Sequence, residues 1–315
     1  MGMDYYRTLN AVPNDDYGSV IAIGNFDGVH KGHNIIVDKA RTLAETIRTK
    51  AGILTFEPHP RSVFRPDERP FRITPEPVKK DRLAQTGIDF TVALTFNWDF
   101  ASLDADTFIQ KILKDGLKAG SVVVGYDFRF GQLRQGTPET LKWAGLEVLT
   151  IDKLVLEETE DPYSSSAIRQ HIRHGDIAKA NALLGWEWEI RGEVVRGDQR
   201  GRELGYPTAN VALGDTVHPA YGVYVSRVQV EGEDTWHPAV TNIGIRPMFE
   251  VPTAQVETYI FDFCKEIYGK TVRVRPVSFL RGEAKFDNLD ALISQMDKDC
   301  ENARSILQKI DIRNR

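Results

Sequence analysis

A β-branched run, Ser19-Val20-Ile21-Ala22-Ile23, stops at Gly24, and beyond it Ile35, Ile36, Val37, Ala40 and Leu43 recur at helical spacing. The first pattern is that of a buried strand and the second that of an amphipathic helix. The decapeptide between them, Gly24-Asn25-Phe26-Asp27-Gly28-Val29-His30-Lys31-Gly32-His33, therefore reads as a strand-to-helix turn, with the helix expected to begin near His33. Helix N-termini present free N–H groups and a partial positive charge, which suit phosphate. Glycines at 24, 28 and 32 let backbone approach a ligand closely. A lone His-x-x-His is as easily a tight turn with two surface histidines. In this strand–turn–helix setting it points to a nucleotide site.

The same alternation continues. Ala51–Phe56, Asp89–Leu94, Ser121–Val124 and Glu147–Ile151 read as further strands, and Pro75–Gln85, Leu103–Lys114 and Pro138–Ala144 as helices between them. Strands separated by helices imply βαβ units and a parallel sheet with right-handed crossovers. Ligands bind such sheets outside the carboxyl ends of the strands. Three loops are thereby expected along one edge: Gly24–His33, the polar loop Glu57-Pro58-His59-Pro60-Arg61, and Tyr126-Asp127-Phe128-Arg129-Phe130-Gly131. Aromatics beside a phosphate site suit a flat heterocycle.

Ser164-Ser165-Ser166-Ala167-Ile168-Arg169 adds a second anion cradle, with serine hydroxyls at a helix start and an arginine one turn on. An ordinary capped helix with a solvated arginine has the same sequence. Two standard phosphate loops are missing. No Gly-x-Gly-x-x-Gly follows the first strand, and Gly269-Lys270-Thr271 has Cys264 where a P-loop requires its first glycine. The phosphate role falls to the histidine pair.

From Trp186 the pattern changes to alternation of period two. Ile190–Val195, Ala209–Leu213, Gly222–Val230, Ala239–Ile243, Gln255–Phe263 and Thr271–Leu280 are candidate strands, followed by a helical tail from Leu289. Antiparallel strands without intervening helices suggest a small closed barrel, so two domains are expected, 1–185 and 186–315. This half has its own glycine-rich stretch, with Gly197, Gly201 and Gly205 ahead of Pro207, Thr208 and Asn210. Its backbone N–H groups can wrap phosphates. Thr208 and Asn210, two apart on a strand start, offer a hydroxyl and an amide oxygen on one side, hard ligands of the kind Mg²⁺ takes together with water and phosphate. Glu257, a carboxylate in an otherwise nearly apolar strand, is a candidate general base, although a solvent-facing strand residue would look the same.

A formal net charge of −5 gives no electrostatic footprint for nucleic acid. Cys264 and Cys300 are too few and too far apart for a disulfide framework or a Cys-x-x-Cys metal site. No apolar run approaches the ~18 residues of a membrane span, and the N-terminus lacks the basic start and apolar core of a secretory signal. A cytoplasmic protein is expected.

Taken together, these stretches resemble the bifunctional riboflavin kinase/FMN adenylyltransferase family, the prokaryotic FAD synthetases. The decapeptide resembles its nucleotidyltransferase signature. Thr55–Pro60, Val124–Gly131 and Ser164–Arg169 resemble its other adenylyltransferase blocks. Arg196–Asn210, Ala220–Tyr224, Asn242–Pro247, Val256–Phe263 and Lys285-Phe286 resemble its kinase blocks. Arg196, Ser166-Ala167 and Met248 depart from the usual pattern, where histidine, Thr-Arg and threonine are commoner.

The resemblance implies a Rossmann-like nucleotidyltransferase sheet followed by a six-stranded antiparallel β-barrel with a C-terminal helix. It implies His30, His33 and Glu257 as catalytic residues. Gly24, Asn25, Phe26, Asp27, Gly32, Ser165, Ser166 and Arg169 would join the histidines on the adenylyl-donating ATP. Phe56, Pro58, His59, Asp127 and Phe128 would hold the flavin. Gly197, Arg200, Gly201, Gly205, Pro207, Thr208 and Asn210 would bind the kinase ATP, with Thr208 and Asn210 on Mg²⁺. The partners implied are riboflavin, FMN and ATP, with no nucleic acid and no membrane, and with self-association left open. Two other readings stand beside it: a single-activity nucleotidyltransferase with an accessory barrel, and a flavin- or nucleotide-binding sensor without catalysis.

Overall fold

A computed structural model describes residues 2–13, 16, 18–153, 161–197, 201, 204–246 and 253–313. By internal contacts it divides into two units, Met1–Arg69 with Thr74–Ser165, and Pro70–Ile73 with Ser166–Arg315.

The first unit is built on a six-stranded sheet. Its strands are β1 (Asp4–Tyr6), β2 (Val20–Ile23), β3 (Ala51–Glu57), β4 (Phe90–Thr95), β5 (Ser121–Gly125) and β6 (Glu147–Ile151). They lie in the order β1-β4-β3-β2-β5-β6, and every pairing is parallel. The strand direction of growth reverses at β2, so the turns after β2 and β5 leave on either side of a switch point, where open α/β sheets bind their ligands. Alternate residues bury on opposite faces, as a pleat requires. Ile21, Ile23, Leu54 and Val122 join one core, whereas Val20, Ala22, Ile53 and Val123 join another with Val37, Ala40 and Ala44 of the Lys31–Ile47 helix.

The edge strand β1 has no counterpart among the expected strands, because Asp4-Tyr5-Tyr6 is too short and too polar to carry a period. The expected helix Leu103–Lys114 is a short helical turn, Ala105–Thr107, capped by Asp104, that widens into a π-helix over Phe108–Gly116. The wider winding turns Phe108, Ile109, Ile112 and Leu113 into the core. Gly116 closes that π segment; a side chain there would strike Leu9 and the Lys111 carbonyl.

In the sheet of the second unit every strand pairing is antiparallel. Strands β7 (Ile190–Glu193), β8 (Thr208–Ala212), β9 (Gly222–Val230), β10 (Trp236–Arg246), β11 (Thr253–Ile260) and β12 (Thr271–Gly282) lie in the order β7-β12-β9-β10-β11-β8. A bridge between Val195 and Asn210 brings the ends of the sheet together, giving a near-barrel. The C-terminal helix Leu289–Arg313 buries Ala303 and Leu307 against Val225 and Phe261.

Candidate functional site

In the first unit, the turn after β2 is held in a conformation its sequence resists. Phe26 and Val29 have φ of 49° and 38°, left-handed values costly for bulky and β-branched residues. Both are fully buried, and Asp27 between them is 1% exposed. Asp27 Oδ1 accepts from the N–H and hydroxyl of Thr74 at 3.0 and 3.3 Å, and Gly28 N–H donates to Thr74 Oγ1 at 2.8 Å. Ser165 Oγ donates to the Asp27 carbonyl at 2.7 Å, which brings the expected serine to the expected turn. The Asp27 carboxylate thus braces the loop from inside.

The helix begins at Lys31, two residues earlier than the spacing suggests, because His30 serves as its N-cap. His30 Nδ1 accepts from His33 N–H at 3.3 Å, and His33 Nδ1 accepts from His30 N–H at 3.4 Å. The two rings stack with centroids 3.6 Å apart, and His33 lies 5.1 Å from the Phe26 ring. Because both Nδ1 atoms accept, the ring protons sit on Nε2, where they can be donated to an anion. Gly32 leaves little room in this first turn: a Cβ would lie 3.0 Å from Tyr163 and 3.1 Å from His30.

The two other loops share the carboxyl edge of the same sheet. His59 is buried and caps the short helix Pro60–Phe64 through Nδ1, which accepts from Arg61 N–H at 3.1 Å. Phe56 packs on Phe96 and Phe100 at 5.9 and 5.4 Å, and Phe64 joins Phe96 and Trp98 at 5.6 and 5.4 Å. Through Phe108 and Phe130 the aromatic contacts reach Phe128. Phe64 and Trp98 are 50% and 65% exposed, so the cluster opens an aromatic face to solvent. Asp127 is exposed nearby in the chain.

Arg169 belongs to the second unit. It is buried, its Nε donates to the Phe71 carbonyl at 2.8 Å, and its guanidinium lies 5.3 Å from the Phe71 ring. Ser166 is exposed on the same helix, Ser165–Arg173.

The second unit unites its two separate sequence stretches through strand register. Asn210 on β8 pairs with Glu257 on β11, and Thr208 pairs with Tyr259. Directly paired residues of an antiparallel ladder share a face, with Cβ atoms about 5 Å apart. The Glu257 and Asn210 side chains therefore leave the sheet on the same face. Asn210 is 5% exposed and its Nδ2 donates to the Thr208 carbonyl at 3.1 Å. Gly197 abuts it: a Cβ there would lie 2.7 Å from Asn210 Nδ2. Gly201 is equally constrained, since a Cβ would meet the Tyr206 carbonyl at 2.5 Å.

Gly197, Pro207, Thr208 and Asn210 form one wall of a pocket of about 320 Å³ whose other wall is the segment 263–268. The exposed Gly205 turns the chain at φ 87°, ahead of Tyr206, whose hydroxyl donates to Asp297 at 2.5 Å. That hydrogen bond pushes the Tyr206 phenol up to about 12. The Arg196 guanidinium lies over the Tyr268 ring at 5.5 Å. Arg200 and Met248 fall outside the described residues.

Sequence reasoning missed Thr74, Tyr163, the aromatics at 64, 96 and 98, and the wall 263–268. The rule applied to the other loops would have found Phe96 and Trp98, which follow the carboxyl end of β4. Thr74 and Tyr163 carry no local signal, because their roles arise from contacts across 46 and 131 residues of chain.

The FAD synthetase family matches residues 12–167 and the riboflavin kinase family residues 184–307. A Listeria monocytogenes protein named bifunctional riboflavin kinase/FMN adenylyltransferase is 34% identical over 94% of this chain and 95% of its own length. One of the same name from Escherichia coli K12 is 37% identical over 95% of each. A solved chain described as a macrolide-efflux protein from Streptococcus pneumoniae is 32% identical, covers 96% of this chain and 98% of its own, and superposes with a TM-score of 0.84.

Proposed function

The chain belongs to the bifunctional riboflavin kinase/FMN adenylyltransferases, enzymes that phosphorylate riboflavin to FMN and adenylylate FMN to FAD, and from that membership we propose how its own residues divide the two reactions. Adenylyl transfer is assigned to 1–185 and riboflavin phosphorylation to 186–315.

For the kinase step, the 5′-hydroxyl oxygen of riboflavin attacks the γ-phosphorus of ATP, the bond to ADP breaks, and Glu257 takes the hydroxyl proton. The observation that carries this reading is the pairing of Glu257 with Asn210, a residue that lines the pocket beside Gly197. Gly197, Gly201, Gly205 and Pro207 shape the pocket around the nucleotide, with Arg200 on its phosphates. Phosphoryl transfer asks the protein mainly for positioning and charge stabilisation. Thr208 and Asn210 supply neutral oxygen ligands, the donor chemistry Mg²⁺ accepts when it also keeps waters and substrate phosphates. Mg²⁺ held there would neutralise charge on the transferring group.

For the adenylyl step, a phosphate oxygen of FMN attacks the α-phosphorus of a second ATP and pyrophosphate leaves. His30 and His33 donate their Nε2–H groups to the α-phosphate and the departing pyrophosphate, at the N-terminus of a 17-residue helix. Gly24, Asn25, Phe26 and Gly32 supply the backbone around the phosphates, and Asp27 with Ser165 fixes its shape. Ser166 and Arg169 are assigned to the triphosphate tail; for Arg169 this requires guanidinium nitrogens other than the Nε that holds Phe71. The flavin ring is assigned to the aromatic face at Phe56, Pro58, His59, Asp127 and Phe128, extended by Phe64 and Trp98. The reactions are placed in the cytoplasm, where ATP is at hand; among the described residues no helix is long and apolar enough to cross a membrane.

One incubation with riboflavin and MgATP, followed by chromatography of the flavins, tests the whole reading. FMN followed by FAD is expected. FMN alone removes the adenylyl assignment, and bound, unchanged riboflavin removes both.

A further inference from the structure

Lys79 takes no part in either reaction as described, yet its surroundings are unusual for a lysine. It lies on the helix Glu76–Ala84 and is 1% exposed. Its ammonium meets the Glu57 carboxylate, 3% exposed, at 2.5 Å. Nζ also donates to the carbonyls of Asn25 and Phe56, at 3.3 Å each, and to Thr55 Oγ1 at 3.2 Å. Thr55 Oγ1 in turn donates to the Asn25 carbonyl at 3.2 Å. Asn25 stands just beyond β2, and residues 55–57 end β3. One buried cation ties the turn that carries the histidines to the segment that leads into Pro58 and His59.

Stability alone gives little reason for this arrangement, since a buried ion pair is seldom better than an apolar pair of the same volume. The backbone gives one. The Asn25 carbonyl belongs to the peptide that enters Phe26, the first of the left-handed residues of the turn. Strain of that kind persists only where the surroundings over-determine it, and it gathers at functional sites. Thr74 braces the second half of the turn through Asp27 and Gly28. Lys79 and Thr55 brace the first half.

We infer that Lys79, with Glu57 as its counter-charge, is a positioning residue for adenylyl transfer: it holds the Asn25–Phe26 peptide, and through it the capped histidines, at a fixed spacing from the flavin-side segment Phe56–His59. It touches neither the reacting phosphates nor the flavin. The inference rests on the assignment of Gly24–His33 to adenylyl transfer made above.

The test uses full-length protein and removes both charges together, as K79M/E57Q, so that no lone charge is left buried. The expected variant phosphorylates riboflavin at the wild-type rate and melts close to wild type. Its kcat for adenylylating supplied FMN falls about 100-fold while KM for ATP stays within about threefold, the signature of misplaced rather than lost binding groups. A merely structural pair would lower the melting temperature and leave kcat of the folded protein unchanged. Adenylylation kcat within about threefold of wild type overturns the inference. Should the double variant not fold, the nearly isosteric T55V decides: about a tenfold loss of kcat is expected, and an unchanged kcat overturns it. H30A, run alongside, separates the two failures. If H30A still makes FAD at the wild-type rate, the assignment of the turn falls; if H30A is inactive and K79M/E57Q is not impaired, only the role of Lys79 falls.

Discussion

His30 and His33 cap one another: each ring Nδ1 accepts the backbone N–H of the other residue, and the rings stack at 3.6 Å. The exchange satisfies two N–H groups at the helix start that otherwise lack partners. It also assigns the ring proton of both imidazoles to Nε2. The pair is thus part of the helix scaffold, and we propose it as the anion donor as well.

His30→Ala is therefore expected to stop FAD formation and spare FMN formation. Removing one donor to developing phosphate charge should lower adenylylation by about 10²–10³-fold. Chromatography of the flavins from riboflavin and MgATP checks it: FMN should accumulate at the wild-type rate. Loss of both products from a folded variant would contradict the separation of the sites.

Glu257→Gln is expected to do the converse. The amide keeps the shape opposite Asn210 but cannot take the hydroxyl proton, so riboflavin phosphorylation should fall by about 10²–10⁴-fold. Supplied FMN should still be converted to FAD. Wild-type phosphorylation by this variant would remove Glu257 as the base.

Gly197→Ala tests the packing of the kinase pocket without changing its chemistry. The new methyl would lie 2.7–2.9 Å from the Asn210 side-chain atoms, so the amide must move. A displacement of this order is expected to lower riboflavin phosphorylation up to about 100-fold, with FMN adenylylation unchanged. Steady-state kinetics of the two half-reactions, measured separately, distinguish the outcomes.

Glu189 offers a stability test at a residue assigned to neither reaction. It is fully buried and is bonded by Arg273 at 2.7 Å and Arg191 at 2.8 Å. Burial opposes its ionisation, but the two guanidinium groups outweigh that and hold the carboxyl below its usual range. A depressed carboxylate stabilises the fold fully above its unfolded pKa of about 4.3, and the contribution is lost as the pH falls through the lower folded value. Glu189→Gln should cost the second unit about 3 kcal/mol at pH 7. The gap in melting temperature from wild type should narrow below about pH 4. Calorimetry at the two pH values reads both effects; a gap that is constant with pH would show that the carboxylate charge is not what matters.

Most of the architecture is written in local pattern. The alternation of β-branched runs with helical spacing is enough for the parallel sheet, and the shift to period two after Trp186 is enough for the antiparallel unit. Both follow from the backbone's two periodicities and need no knowledge of partners. The edge strand β1 was not legible, since three polar-aromatic residues have no period and owe their conformation to pairing with Phe90–Val92. The π winding of Phe108–Gly116 was not legible either, because a helical pattern of period 3.6 does not say how core packing will stretch it.

The sites divide in the same way. The decapeptide, Gly197 to Asn210, and Glu257 were visible because glycine, histidine and a carboxylate stand out where neighbouring residues set a strand or a turn. Which of them come together was decided only by the folded chain. Register set Glu257 opposite Asn210, 47 residues away in sequence, and nothing in either stretch specifies that register. Thr74 and Lys79 brace the histidine turn from two sides, each through bonds that span about 50 residues. Sequence by itself determined which residue types stand at the carboxyl edge of the sheet and along the glycine-rich loop. Tertiary structure decided which buried groups hold them there, because a strained turn or a desolvated charge is stable only against partners that the chain brings from elsewhere.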